Sequence, residues 1–219
     1  MSDSDIVSVG ARSGLAYRHI REEWADRLEA VEHGVFSTAD PDHLCSAAQF
    51  ADMARRFPEG CFIGFDGDEI VAVGTGIRTH FDLAAPLHTI DDILTDDGCG
   101  HEPDGRWYYG ITIAVLESHR RRGIGNELYE LRKAVCAELG LDGIVAGGVI
   151  PGFADHKHEM TADEYIDAVR RGDLVDPTLT FQLSNGFDAL CALPGYLHDP
   201  KVDSFASCIV WRRPADATT

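Results

Sequence analysis

Residues 118–133 read SHRRRGIGNELYELRK. Three consecutive arginines, Arg120, Arg121 and Arg122, precede Gly123-Ile124-Gly125 in a chain that is otherwise strongly acidic, with 37 Asp and Glu against 19 Lys and Arg and a formal net charge of −18. Upstream, residues 107–115 (WYYGITIAV) are aromatic and β-branched, the composition of a strand. Downstream, Leu128, Leu131, Val135 and Leu139 recur at helical spacing, and Gly140 is placed to end that helix. The stretch therefore joins a strand to a helix. Glycines at 123 and 125 let the backbone turn its N–H groups inward as an anion-binding nest. The first turn of the helix adds unpaired N–H groups and the positive end of its dipole. Arginine side chains add charge to an anion already held by backbone. A surface turn with incidental arginines has the same letters, so the motif alone leaves both readings open. Two other phosphate loops do not fit. A dinucleotide fingerprint needs a third glycine where Leu128 stands, and a Walker loop needs Gly-Lys-Ser/Thr where Gly125 is followed by Asn126.

Outward from this junction, residues 6–11 read as a short strand. Ile20, Trp24, Leu28 and Val31 predict an amphipathic helix over residues 17–33, with Gly34 able to end it. Asp40-Pro41 reads as the N-cap and first position of a second helix that runs to Arg56 and is closed by Pro58. Residues 61–65 and 70–79 form strands joined at Asp66-Gly67, a hairpin signal. Residues 82–105, with Asp91, Asp92, Asp96 and Asp97, form a long acidic loop with room for one helical turn. Residues 143–150 are apolar throughout, as in an interior strand. Thr161 and Glu164 make a capping box for a helix to about Arg170, and Asp176-Pro177 starts another that ends near Asn185-Gly186. Residues 187–193 and 204–211 are closing strands. This order predicts an α/β (α+β) fold, one domain over residues 1–219 with insertions at 82–105 and 151–176.

Composition narrows the function. With 219 residues, 44% hydrophobic and 26% charged, the chain can bury a sizeable core. A charge of −18 argues against nucleic-acid or anionic-membrane binding, because either needs an extended basic face. It permits a cationic partner such as an amine. The six cysteines (Cys45, Cys61, Cys99, Cys136, Cys191 and Cys208) lack CxxC spacing and read as reduced thiols, with no zinc site expected. The opening MSDSDIVSVG does not resemble a signal peptide, and no apolar run approaches the roughly 20 residues that span a bilayer. A cytoplasmic location is the expectation.

The stretch IAVLESHRRRGIGNELYELRK closely resembles the coenzyme A signature of the GNAT acetyltransferases. In that family a strand ending Leu/Ile-Ala-Val is followed, three or four residues on, by Arg/Gln-x-x-Gly-x-Gly/Ala. Here Ile113-Ala114-Val115 and Arg120 to Gly125 match at that spacing, and Asn185-Gly186-Phe187 is similar to the Gly-Phe that opens the family's sixth strand. The order of elements matches over nearly the whole chain. GGVIPGFADHKHEMTADEY, DPTLTFQLSNGF and LPGYL further resemble the GNAT domain that in some proteins precedes a nitrilase-type carbon–nitrogen hydrolase. The chain stops at Thr219, so any cooperating hydrolase is expected to be a separate polypeptide.

The resemblance implies a mixed, mostly antiparallel sheet of about seven strands, helices on both faces, and fourth and fifth strands that splay apart. It implies acetyl-CoA as cosubstrate, with no metal. The backbone of Ile113 and Val115 would bind pantetheine, and the N–H groups of Arg121, Arg122, Gly123, Ile124, Gly125 and Asn126 would bind the pyrophosphate. Arg120 occupies the family's arginine position. An N–H near Ala114 or Val115 would polarise the thioester carbonyl. A small-molecule primary amine would then attack directly, in a ternary complex. Family members often dimerise through their C-terminal strands, so a homodimer is a candidate state.

Two departures stand out. The family often carries a carboxylate on the fourth strand, where this chain has Thr112, and a tyrosine four residues before Gly-Phe, where it has Gln182. Candidate substitutes are Tyr108 or Tyr109 on the same strand, and His156 among Asp155, His158 and Glu159 after the fifth. Tyr196 lies between the last strands and is either a pocket or a packing residue, and His119 reads as a turn residue. Without the usual acid and base, the alternative is a non-catalytic acyl-CoA sensor.

Overall fold

A computed structural model of the chain describes residues 5–37, 39–95 and 98–214. Thirteen helices and strands matter here. They are β1 (Ser8–Val9), β2 (Ala16–His19), α1 (Ala25–Val35), α2 (Ala47–Arg56), β3 (Phe62–Asp66), β4 (Glu69–Thr79), β5 (Trp107–Val115), α3 (Ile124–Glu138), β6 (Gly143–Val149), α4 (Ala162–Arg171), α5 (Leu179–Ser184), β7 (Asp188–Leu193) and β8 (Ala206–Arg212). The eight strands form one sheet in the order β1-β2-β3-β4-β5-β6-β8-β7, antiparallel at every step except β5·β6, which is parallel.

Alternation along the strands feeds two cores, one on each face. Tyr108 of β5 packs with Leu128, Tyr129 and Val135 of α3 and with Tyr165 and Ile166 of α4. Tyr109, its neighbour, packs on the other face with Leu28 of α1 and Phe50 and Met53 of α2.

The β5·β6 pairing is short. It holds only at Trp107↔Gly143, Tyr108↔Ile144 and Tyr109↔Val145. Beyond that point β6 stays with β8 as far as Val149↔Ala206, and β5 stays with β4 as far as Val115↔Ala72. The two central strands thus part, leaving one edge of β5 free from Gly110 onward. These are the fourth and fifth strands of the sequence reading, and they splay as expected.

Four expectations are corrected. The described residues form eight strands, because residues 16–19 pair with β3 instead of joining the helix. Ile20 and Trp24 belong to the same core as Leu28, so their spacing extends the helical pattern back past the true start of α1. The helix also ends one residue after Gly34, at Val35. The first strand shrinks to Ser8–Val9. Asp40 caps only a single turn, Pro41–His43, while α2 has its own capping box from Ser46 and Gln49. Asp176 does begin the region of α5: it is fully buried and accepts the N–H groups of Thr178, Leu179 and Gly152 and the Tyr165 hydroxyl. The long loop contains no helix or named strand among its described residues; Asp96 and Asp97 lie outside them.

Candidate functional site

The turn between β5 and α3 adopts the geometry its glycines allow. Gly123 has φ +85° and Arg121 φ +61°, two left-handed residues separated by one. The first helical backbone bond runs from the Glu127 N–H to the Gly123 carbonyl, so the N–H groups of Ile124, Gly125 and Asn126 have no helical acceptor. Glycine is needed at both positions for close approach as well. A Cβ on Gly123 would stand 2.9 Å from Arg12 Cδ, and one on Gly125 would stand 2.8 Å from Phe181 Cζ.

This turn lines one wall of a cleft of about 900 Å³, within the range of small-molecule sites. Ile113, Val115, Arg120, Arg121, Arg122, Gly123, Ile124, Gly125 and Asn126 all border it, as does His119. Ala114, between Ile113 and Val115, points to the opposite face and is buried. The cleft also takes in Arg12, Val35, Phe36, Pro177 and Phe181, none of which the sequence suggested. An apolar–basic mixture of this kind, with converging backbone donors, suits an anionic group carried on a long organic chain.

The arginines differ in their attachments. Arg122 Nη2 donates to the Ser13 carbonyl at 2.9 Å, and Nη1 lies 3.6 Å from Asp66. Arg120 Nε donates to the Val115 carbonyl at 3.3 Å. His119 sits in the turn with Nε2 3.1 Å from Asp66.

Glu127, in the first turn of α3, ties the cleft to the amino-terminal strands. Its carboxylate accepts the N–H groups of Arg12 and Ser13 at 2.8 and 3.0 Å, the Ser13 hydroxyl at 2.5 Å and the Tyr17 hydroxyl at 2.7 Å. Burial works against its charge, but the bonds from Ser13, Tyr17 and Arg12 outweigh burial and hold the carboxyl below its ordinary range. Arg12 is thereby laid across Gly123. Only Gly10, lacking a Cβ, lets the carboxylate fit there.

On the other wall, β5 carries a bulge. Thr75 faces Thr112 and Gly76 faces Gly110, so Ile111 is the extra residue. The carbonyls of Thr75 and Thr112 both accept from Nη2 of Arg132, a buried arginine of α3, the first at 2.6 Å. Thr112 is itself buried, and it is its backbone that this arginine holds.

The proposed acid and base candidates do not gather in one place. Gln182 is buried against β6, where a Cβ on Gly148 would stand 2.5 Å from its Nε2, and its Oε1 has no partner. Tyr109 lies on the α1/α2 face; its hydroxyl is 3.1 Å from that of Tyr196 and 2.6 Å from Nε2 of His88. His156 packs on Tyr165, with ring centroids 5.5 Å apart, and does not border the cleft. Its neighbours Lys157, His158 and Glu159 instead line a shallow depression with Asp203 and Phe205. The Lys157–Asp203 pair, at 2.6 Å, pins that segment. Among the described residues, no three or more His, Cys, Asp or Glu side chains converge on a common metal position. None of the described helices is long and apolar enough to cross a membrane.

Comparison with known proteins fits this geometry. "Probable hydrolase YhcX" of Bacillus subtilis is 36% identical over 203 residues, which is 90% of this chain but only 38% of that protein, so the chain spans well under half of that relative. YkwB of the same organism, named an uncharacterized N-acetyltransferase, is 28% identical over 90% of this chain and 88% of its own length. Among solved structures, the loading GNATL domain of CurA from Lyngbya majuscula shares the fold with a TM-score of 0.78 at 23% identity, covering 90% of this chain and 97% of that one. The GphF GNAT-like decarboxylase, solved with isobutyryl-CoA, does so with a TM-score of 0.74 at 21% identity, covering 90% and 99%. The family model described as "Acetyltransferase (GNAT) family" matches residues 20–152, more than half of the chain. With the splayed strands and the Arg120–Gly125 turn in place, the chain belongs to the GNAT acetyltransferase family.

Proposed function

We propose that the protein is an acyl-CoA-dependent N-acyltransferase, with acetyl-CoA as its simplest cosubstrate, that acylates the primary amine of a small molecule by direct attack in a ternary complex. The observation that carries this reading is the single cleft shared by the left-handed turn at Arg121 and Gly123, the open N-terminus of α3 and the edge of β5 left free by β6. The cosubstrate supplies a thioester, an acyl group already activated. The chain's own residues bind and orient it. N–H groups of Arg121, Arg122, Gly123, Ile124, Gly125 and Asn126 hold the pyrophosphate, and Arg120 and Arg12 add charge beside them. The free edge of Ile113 and Val115 pairs with the pantetheine amides, and an N–H of that free edge polarises the thioester carbonyl; the N–H of Ala114 faces Val73 of β4 instead. Arg132 keeps the bulge at Thr112 in shape.

A small acceptor is favoured by the long loop, which is laced to the last connection by the Ile90 N–H and the Tyr196 carbonyl at 2.9 Å. That closure narrows the approach on the acceptor side. We propose a homodimer contact at β7, one of the two edge strands of the sheet, and light scattering of the purified chain tests whether it dimerises.

A second reading, a coenzyme A sensor without turnover, draws on one observation: Thr112 and Gln182 are both packed and neither is an acid or a base. Purified protein with acetyl-CoA and a panel of amines separates the two. Release of free thiol that depends on an amine supports transfer. Tight calorimetric binding of coenzyme A with no thiol release from any amine supports the sensor. Because one solved neighbour is named as a decarboxylase, the panel includes a carboxylated acyl-CoA, with carbon dioxide as the readout for that different outcome.

A further inference from the structure

We propose that His88, Tyr109 and Tyr196 form a directional proton relay on the acceptor side, with Tyr196 taking the acceptor's proton and His88 carrying it out to the long loop. The inference rests on the acyltransferase reading above, and it supplies the base that Thr112 cannot be.

The direction follows from the bonding. Nδ1 of His88 lies 2.7 Å from the Pro86 carbonyl, which can only accept, so the ring proton sits on Nδ1. In a neutral ring Nε2 is then bare, and at 2.6 Å it must accept the Tyr109 hydroxyl proton. With that proton committed, the Tyr109 oxygen accepts from Tyr196 at 3.1 Å. The chain of donors therefore runs from Tyr196 through Tyr109 to His88. Half-burial lowers the pKa of His88 and keeps the ring neutral near pH 7, ahead of the opposing pull of the Pro86 carbonyl and the charge of Asp92.

The place is also suited. Tyr109 stands opposite Val145, the last pair before β5 and β6 part. The Tyr196 ring lies flat on Gly147 just beyond, where a Cβ would come within 2.1 Å of its Cζ. The two phenols are buried where β5 and β6 part, at the inner end of the free β5 edge along which the thioester arm would lie. Phe81 shields both His88 and Tyr109, at 5.2 and 6.3 Å between centroids. The other titratable groups facing the relay are Asp92 from the same loop and the thiols Cys45 and Cys208 beside Tyr196. Burial raises both thiols, Cys208 to about 12, so they stay neutral.

The step balances as follows. The acceptor nitrogen forms its bond to the carbonyl carbon and becomes positively charged. One N–H proton passes to the Tyr196 oxygen, the Tyr196 proton to Tyr109, and the Tyr109 proton to Nε2 of His88. The C–S bond breaks, its electron pair leaves on sulfur, and the imidazolium later gives its proton to water. Tyr196 is the catalytic member; Tyr109 and His88 act through it.

Two measurements test this. First, kcat/KM for thiol release is followed against pH in the wild type, Tyr196→Phe, Tyr109→Phe and His88→Gln, with coenzyme A affinity measured alongside. The wild type is expected to lose rate as pH falls and His88 protonates. Each variant is expected to fall by about 100-fold with unchanged affinity, and His88→Gln to lose the acid limb. A variant profile that keeps the wild-type shape overturns the relay. Second, nitrogen NMR of the His88 ring at neutral pH needs no turnover. A protonated Nδ1 and a bare Nε2 whose resonance moves in Tyr109→Phe are expected; a proton on Nε2 overturns the relay. If the wild type acylates no amine, the acyltransferase reading fails, and the NMR result still decides whether the chain has the stated direction.

Discussion

The two ends of the cleft are built in opposite ways. The anion-binding end comes from one unbroken stretch of chain, from Ile113 to Asn126, and its working groups are backbone N–H groups set by two left-handed residues. The acceptor end is assembled from side chains that are far apart in sequence: His88 on a loop, Tyr109 on β5, Gly147 on β6 and Tyr196 between β7 and β8. The first is a property of local conformation. The second exists only once the sheet is complete. Even the buried carboxyls of the two regions differ. Glu127, beneath the anion turn, is held below its ordinary pKa by donors, whereas burial pushes Glu32 of α1, on the acceptor face, up to about 7 against the N–H of Cys45.

Four substitutions would break or sharpen that contrast. The largest effect is expected from Glu127→Ala, which orphans two N–H groups and two hydroxyls. A loss of about 3–5 kcal/mol in urea unfolding checks it. The Glu127 contribution should be full above about pH 4.5 and disappear as pH falls through the lower folded pKa, so the wild type and the variant should converge in acid. Gly123→Glu comes next. It forces a side chain into a left-handed site against Arg12 and adds charge where an anion is expected. Coenzyme A affinity should drop about 100-fold, or ~2.7 kcal/mol, in a protein whose circular dichroism is unchanged. Unaltered affinity would move the site elsewhere.

Glu32→Gln should work in the other direction. A carboxyl with a raised folded pKa stabilises most below its unfolded pKa of 4.5 and loses that contribution as pH rises through about 7. The glutamine keeps the Oε1 acceptor for the Cys45 N–H without the buried charge. It should therefore gain about 2 kcal/mol over the wild type at pH 8 and nothing at pH 4, measured as thermal midpoints at the two pH values. The smallest effect belongs to Arg120→Ala, an exposed charge next to donors that do most of the holding. About a fivefold weaker binding, shrinking further with added salt, is expected in calorimetry.

What the sequence discloses follows the same division. The Arg120–Gly125 turn is legible because a nest needs only glycines and a helix start, both local. The parting of β5 and β6 is legible only through the family resemblance. β2 is hidden because Ile20 and Trp24 continue the spacing of α1 while Tyr17 answers to Glu127, 110 residues away. Arg12 is hidden for the same reason, since nothing near it in the chain hints that it will lie over Gly123. His88 carries no signal at all in an irregular acidic loop, and its partner Tyr109 is one of two adjacent tyrosines whose faces the strand period separates without saying which matters. His156 shows the reverse: a polar cluster that looks functional in one dimension is pinned by Lys157 and Asp203 away from the cleft.

The Glu127 knot also sets an order of events during synthesis. Ser13 emerges from the ribosome 114 residues before the carboxylate that completes its bonds. At typical elongation rates this is roughly 6–20 s in which the Arg12–Ser13 turn lacks its acceptor, although β2 already has β3 to pair with. The Arg12–Ser13 turn is therefore among the first parts made and among the last fixed, and the anion turn and its Arg12 cover should mature together. Nascent chains arrested before and after residue 127 has left the exit tunnel would show it, as free and then protected amides at Arg12 and Ser13.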